Sequence, residues 1–97
     1  MVVQWTRRAL RRLDQHATYL ALGSPNAADE MTERVRLLVN GLATHPLIGR
    51  EGRYLGTREL VAEKGRYVII YRVRGQTVQV ITMHDTRQQW PAEWRDA

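Results

Sequence analysis

Apolar residues recur with a helical period through the first half of the chain and with a period of two through the second. Ala9, Leu10, Leu13, Ala17 and Leu20 fall on one side of a helix that starts after Thr6, a residue suited to the N-cap. Gly23 closes this helix, and Ser24-Pro25 opens the next as cap and first helical residue, where proline's missing N–H costs nothing. Ala28, Met31, Val35, Leu38 and Leu42 form the inward stripe of the second helix, leaving Asp29, Glu33, Arg34 and Arg36 in water. His45-Pro46 ends it, because the residue before proline is pushed out of the helical region. The short connection makes the two helices an antiparallel hairpin. Ahead of them, Val2–Trp5 reads as a short edge or first strand.

From Gly49 onward, 53–55, 58–62, 67–73 and 78–84 read as successive strands, separated by turns at Gly56, Lys64-Gly65 and Arg74-Gly75-Gln76. Both parities are apolar at the start of 67–73, so this strand is expected to be central and covered on each side there. Arg72 and Arg74 lie on the parity opposite Tyr71 and Val73. The pattern predicts an α+β fold: an N-terminal strand and helical hairpin packed on a twisted antiparallel sheet. The sheet face away from the helices is expected to be concave, basic and lined with aromatic residues.

Composition narrows the setting. The 97 residues suit one domain over 1–97, and 43% apolar with 26% charged residues is an ordinary globular balance. There are no cysteines, so neither disulfides nor a thiolate metal site is available; no metal or cofactor is called for. The longest apolar run, Tyr67-Val68-Ile69-Ile70-Tyr71, is far too short for a membrane span, and no signal-peptide core precedes it, so a cytoplasmic location is expected. A net charge of +5 carried almost wholly by arginine favours an anionic partner: nucleic acid, ribosome or an acidic protein segment. Arg7, Arg8, Arg11 and Arg12 crowd the start of the first helix against its dipole.

An ordered set of pieces carries a family resemblance. Trp5-Thr6, Ala9-Leu10, Tyr19-Leu20 and Pro25-x-Ala27-Ala28 are followed by Pro46-x-x-Gly49-Arg50, Gly56-Thr57-Arg58-Glu59-Leu60-Val61, Tyr67-x-Ile69-x-Tyr71-Arg72-Val73 and His84-x-x-Arg87-x-x-Trp90-Pro91. Over residues 2 to 91 the chain resembles the ParE/RelE superfamily of toxins from type II toxin–antitoxin systems. The resemblance implies a cognate antitoxin whose acidic or amphipathic tail wraps and silences the toxin. It also implies one of two targets: DNA gyrase, poisoned by binding in the ParE branch, or ribosome-bound mRNA, cut in the RelE branch.

Cutting RNA needs a base, an acid and cations around one phosphate. Val61, Val68 and Trp90 stand where RelE-type RNases resemble one another in carrying basic residues and a tyrosine. An RNase reading is left with His84, Arg87, Arg66 and Tyr71; the ParE reading, which the departures favour, assigns no catalytic residue. Arg87 has three roles open to it: binding phosphate, capping the C-terminal segment, or pairing with Glu59. Asp85 adjoins His84 but should point to the opposite face. Arg7, Arg11, Arg58, Arg72, Arg87, Trp90 and Trp94 are the expected antitoxin- or target-binding residues, with Arg58 and Arg72 on one sheet face. Trp90 alternatively closes the open end of the core. A third reading is an inactive relative that keeps only antitoxin binding.

Overall fold

A computed structural model of the protein describes residues 1–91. Its elements are β1 (Val2–Trp5), α1 (Arg7–Gly23), α2 (Pro25–Asn40), β2 (Arg50–Glu51), β3 (Arg58–Ala62), β4 (Tyr67–Arg74) and β5 (Thr77–Asp85). The five strands form one sheet in the order β1-β5-β4-β3-β2. β2 to β5 are antiparallel neighbours, but β1 pairs parallel to β5, with Val2 opposite Thr77 and Trp5 opposite Val80. The sheet is therefore mixed rather than purely antiparallel. The helical hairpin separates β1 from the later strands, so no short turn dictates how β1 must run.

Thr6 does two jobs at the start of α1. Its Oγ1 accepts from the Ala9 N–H at 3.0 Å and donates to the Ile81 carbonyl at 2.8 Å, capping the helix and tying it to β5. Ser24 caps α2 through the Ala27 N–H, with Pro25 at its first position. α2 stops at Asn40, earlier than the proline alone would require, and a 3₁₀ turn over Gly41–Ala43 carries the chain on. The buried positions of α2 are Ala28, Met31, Val35 and Val39. Val39 thus takes the place expected for Leu38, which is 38 % exposed, because the stripe follows a 3-4-4 rather than a 3-4-3 spacing. On α1, Ala9 and Leu13 are buried while Leu10 is exposed.

β4 is the central strand and is covered on both faces. Tyr67, Ile69 and Tyr71 join Leu13, Met31 and Val35 in the main core under the helices. Val68 and Ile70 face the other way and form a second cluster with Ile81, packed by Tyr54 and Trp90. Complete burial of an Ile or Val side chain here stabilises by about 1.5–3 kcal/mol. The register jumps between Ile70–Thr82 and Tyr71–Val80, leaving Ile81 as the extra residue of a β-bulge. The bulge turns Ile81 to the second cluster while Val78 and Val80 on one side and Met83 on the other keep facing the main core.

The segment expected as a strand over 53–55 is a turn. The edge strand is instead Arg50–Glu51, paired with Glu59 and Arg58. The buried Glu59 carboxylate captures the Arg53 N–H at 2.9 Å, and Thr57 closes the turn onto the Tyr54 carbonyl. Those backbone and side-chain groups are consequently spent within the turn instead of along a strand ladder. On the helix side, the Tyr71 hydroxyl donates to the Pro46 carbonyl at 2.8 Å and accepts from the Gly49 N–H at 2.9 Å. Burial pushes this phenol above its ordinary pKa, although the Gly49 N–H works the other way.

Gly49 is there because nothing larger fits: a Cβ would lie 2.6 Å from Tyr71 Oη and 2.9 Å from the Glu59 carbonyl oxygen. We predict that Gly49→Ala lowers stability by about 1–3 kcal/mol through this overpacking. Urea denaturation should show a lower midpoint with an unchanged slope.

Candidate functional site

The second cluster is closed by a strap of the chain running from Asp85 to Pro91, and Glu59 anchors what holds it. Glu59 is 3 % exposed; Arg50 contacts one carboxylate oxygen at 3.0 and 3.1 Å, and Arg53 contacts the other through its backbone N–H and guanidinium. Burial alone would raise its pKa, but the Arg53 N–H and the Arg50 side chain hold it below the ordinary value. With Arg53 fixed in this way, its guanidinium lies 3.4 Å from the centre of the Trp90 ring. Trp90 in turn stacks on His84 at 4.0 Å, and the Tyr54 hydroxyl donates to the Pro91 carbonyl at 2.6 Å. Trp90 therefore closes an apolar cluster.

His84 sits beneath this strap, 7 % exposed. Its Nε2 is 3.1 Å from the Gln88 carbonyl, so that nitrogen carries the proton and donates. Burial holds its pKa below the ordinary value, opposed by the Gln88 hydrogen bond. Arg87 pairs with Asp85, not Glu59, through backbone N–H, Nε and Nη2 at 2.9 to 3.2 Å. Arg66 adds a longer contact of 3.4 Å to the same carboxylate. Burial would raise the Asp85 pKa, but the Arg87 hydrogen bonds and the two guanidinium charges lower it to about 2.

On the helix side of the same sheet end, Asp85, Arg87 and Gln88 face Arg12, Gln15, His16 and Tyr19 of α1 across an open cleft of ≈ 510 Å³. His16 packs on Tyr67 at 4.8 Å and donates from Nε2 to the Met83 carbonyl. Burial lowers its pKa as well. Nothing in the sequence pattern singled out His16, which occupies an inward position of α1 with an apolar body. The Asp85–Arg87 pair did have a signal: an aspartate two residues before its backbone partner is an Asx-turn spacing.

The residues expected to act together are distributed over the molecule. Arg58 opposes Tyr71 on the helix side and donates to the Gly49 carbonyl at 2.9 Å, pinning the 46–49 loop. Arg72 lies on the other sheet face and donates to Gln79 Oε1 at 2.6 Å. The shared Arg58/Arg72 face is thus absent, since the side chains follow opposite parities. Of the RNase set, His84 is under the strap, Tyr71 is in the main core, and Arg66 and Arg87 are on Asp85. Arg7 and Arg11 remain exposed on α1. Trp94 lies outside the described residues.

This sheet and hairpin define a small α+β toxin fold. The chain belongs to the family described as the ParE toxin of the type II toxin–antitoxin system parDE, whose model matches residues 3–90. It is 42% identical over 89 residues to a Sinorhizobium fredii protein named "Putative toxin Y4kP", covering 92% of each chain. A structure titled "Chromosomal ParDE TA system from P. aeruginosa" superposes with a TM-score of 0.77 at 26% identity, over 88% of this chain and 95% of that one. The protein is a toxin of the ParDE type, and its family implies a cognate antitoxin partner. No helix among the described residues is long and apolar enough to cross a membrane.

The pKa shifts give a signed pH dependence. His16 and His84 are lowered from 6.5, so the stability they contribute is present above that pH and is lost as pH falls through their folded values. Asp85 is lowered from 3.8 to about 2, so its contribution is lost over that lower window. Glu59, lowered from 4.5, adds to the same acid window, so we predict two acid limbs in the urea midpoint, with Asp85→Asn shrinking the lower limb and keeping the upper one.

Proposed function

We propose that the protein arrests growth by binding and inhibiting DNA gyrase, and that its antitoxin neutralises it. The observation supporting binding over RNA cleavage is the separation of His84, Tyr71, Arg66 and Arg87. A scissile phosphate needs its acid, base and cations within hydrogen-bond reach of one point. Here His84 and Tyr71 lie on opposite faces of the sheet with their polar atoms engaged by main-chain carbonyls. The two arginines are engaged by a carboxylate. Purified toxin should abolish gyrase supercoiling and raise cleaved-DNA complexes while leaving mRNA intact on programmed ribosomes. Unaltered supercoiling in a large excess of folded toxin rejects this reading. Expression without antitoxin distinguishes an active toxin from an inactive relative.

The antitoxin reading draws support from a second surface. Leu38 and Val61 border a cleft of ≈ 250 Å³ beside Arg34, and Leu37 is 63 % exposed nearby on α2. Among the described residues β2 pairs only with Arg58 and Glu59, so the edge of β3 beyond them carries no strand. An amphipathic segment finds apolar anchors there, beside Arg34, which Glu63 already pairs at 2.6 Å. Leu38→Asp combined with Val61→Asp should leave the toxin folded, because both side chains are exposed. In co-expression it should restore growth arrest despite the antitoxin, and pull-down should show lost complex formation. Undiminished neutralisation would move the antitoxin to another face.

A further inference from the structure

We propose that the arginine row of α1 binds the phosphate backbone of duplex DNA, independently of base sequence. α1 carries four arginines and one aspartate, with no acid in its first turn. Arg7, Arg11, Gln15 and Tyr19 follow one another at four-residue spacing, so they form a single row along the helix. Arg12 flanks the row and, with Gln15 and Tyr19, lines the cleft closed by Arg87 and Gln88. The row and the cleft are one continuous surface.

Charge is not balanced on this surface. Among the described residues, Arg7, Arg11 and Arg12 make no ion pair, whereas the cleft's carboxylate, Asp85, is taken by Arg66 and Arg87. Asp14, the acid of α1, is exposed and makes no ion pair among the described residues either. Like charges at four-residue spacing and cations near a helix N-terminus each cost a few tenths of a kcal/mol. An anion lying along the row turns that repulsion into attraction.

The donor set selects the anion. Arginine, glutamine and tyrosine are side chains that contact backbone phosphates. Within the row Tyr19 is the one side chain with an apolar body, and Leu10 and Leu22 are exposed beside its two ends, so the charged stretch from Arg7 to Gln15 carries no apolar anchor in line. Single-stranded RNA asks for several aromatic platforms. Tyr67 and Tyr71 are in the core, Trp90 is held between Arg53 and His84, Trp5 and Tyr54 are partly buried, and Tyr19 is the one tyrosine or tryptophan among the described residues that is fully on the surface. A rigid row of cations without stacking platforms suits the regular charge ladder of a duplex. If the gyrase reading holds, this contact places the toxin on the DNA that the enzyme is handling. The contact itself needs no gyrase.

The test is fluorescence anisotropy of a short labelled duplex of mixed sequence with purified toxin, repeated over a salt series. Each phosphate neutralised contributes a slope of about −0.9 in log affinity against log salt. Wild-type toxin should bind at low salt with a slope of about −3 for Arg7, Arg11 and Arg12. Arg11→Gln should remove about 1 from the slope, and Arg7→Gln with Arg11→Gln about 2, with roughly a tenfold loss of affinity. Arg74→Gln removes the same charge from the sheet face opposite the helices and should leave the slope unchanged. Circular dichroism should show every variant folded. Absence of binding at low salt, or an equal loss in Arg74→Gln, overturns the proposal. An oligoglutamate peptide that binds through Arg7 and Arg11 when the duplex does not would overturn it too, and assign the row to an acidic protein segment. Supercoiling is read separately, so the gyrase reading stands or falls on its own assay.

Discussion

Strand β4 has apolar side chains on both faces, and that requirement for two covers organises the rest of the molecule. The helical hairpin supplies one cover, over Tyr67, Ile69 and Tyr71. The C-terminal strap supplies the other, where Trp90 and Tyr54 close over Val68, Ile70 and Ile81. A short cluster of three buried aliphatic residues would not hold a strap by apolar contact alone. Glu59 provides the missing constraint: it fixes the 50–53 segment, which sets Arg53 against the Trp90 ring. The turn and the edge strand therefore rest on one buried carboxylate, which also sets one of the contacts that hold the strap.

Two contrasting groups of arginine stand out among those that give the chain its net charge of +5. Arg50, Arg53, Arg58, Arg66 and Arg87 are structural, each engaged by a carboxylate or main-chain carbonyl. Arg7, Arg11 and Arg12 have no such engagement among the described residues, and they stand together on α1. A count of charges treats the two kinds alike. The second group adds more to the field available to a partner than the first, because a guanidinium beside a buried carboxylate is already neutralised locally.

The same accounting separates binding from chemistry. A catalytic group needs a polar atom aimed at substrate, whereas His84, Tyr71 and Asp85 all aim theirs at protein atoms. Those bonds stabilise loops: Gln88 in the strap, Pro46 and Gly49 in the long connection, Arg87 at the strand end. The polar residues of the C-terminal block are explained by what they hold in place. The exposed surfaces left over are an arginine row on α1 and an apolar edge beside β3.

The elements were largely legible in the sequence, because helix and strand periods and caps act over a few residues. β1, β3, the helix starts at Thr6 and Ser24, and the two-sided burial of β4 follow from such local rules. The turn at 53–56 did not, since it depends on Glu59 reaching back to the Arg53 N–H. The parallel course of β1 was equally hidden, as a strand cut off by two helices has no turn to direct it. Site residues fared less evenly: Trp90 as a lid and the opposed Asp85 and His84 were readable, whereas the pairing of Arg87 and the separation of Arg58 from Arg72 were not. By itself the sequence determined the family, the hairpin and the central strand. Only the tertiary structure decided which arginines are spent internally and which stay exposed, because ion pairs depend on the distance between side chains that folding brings together.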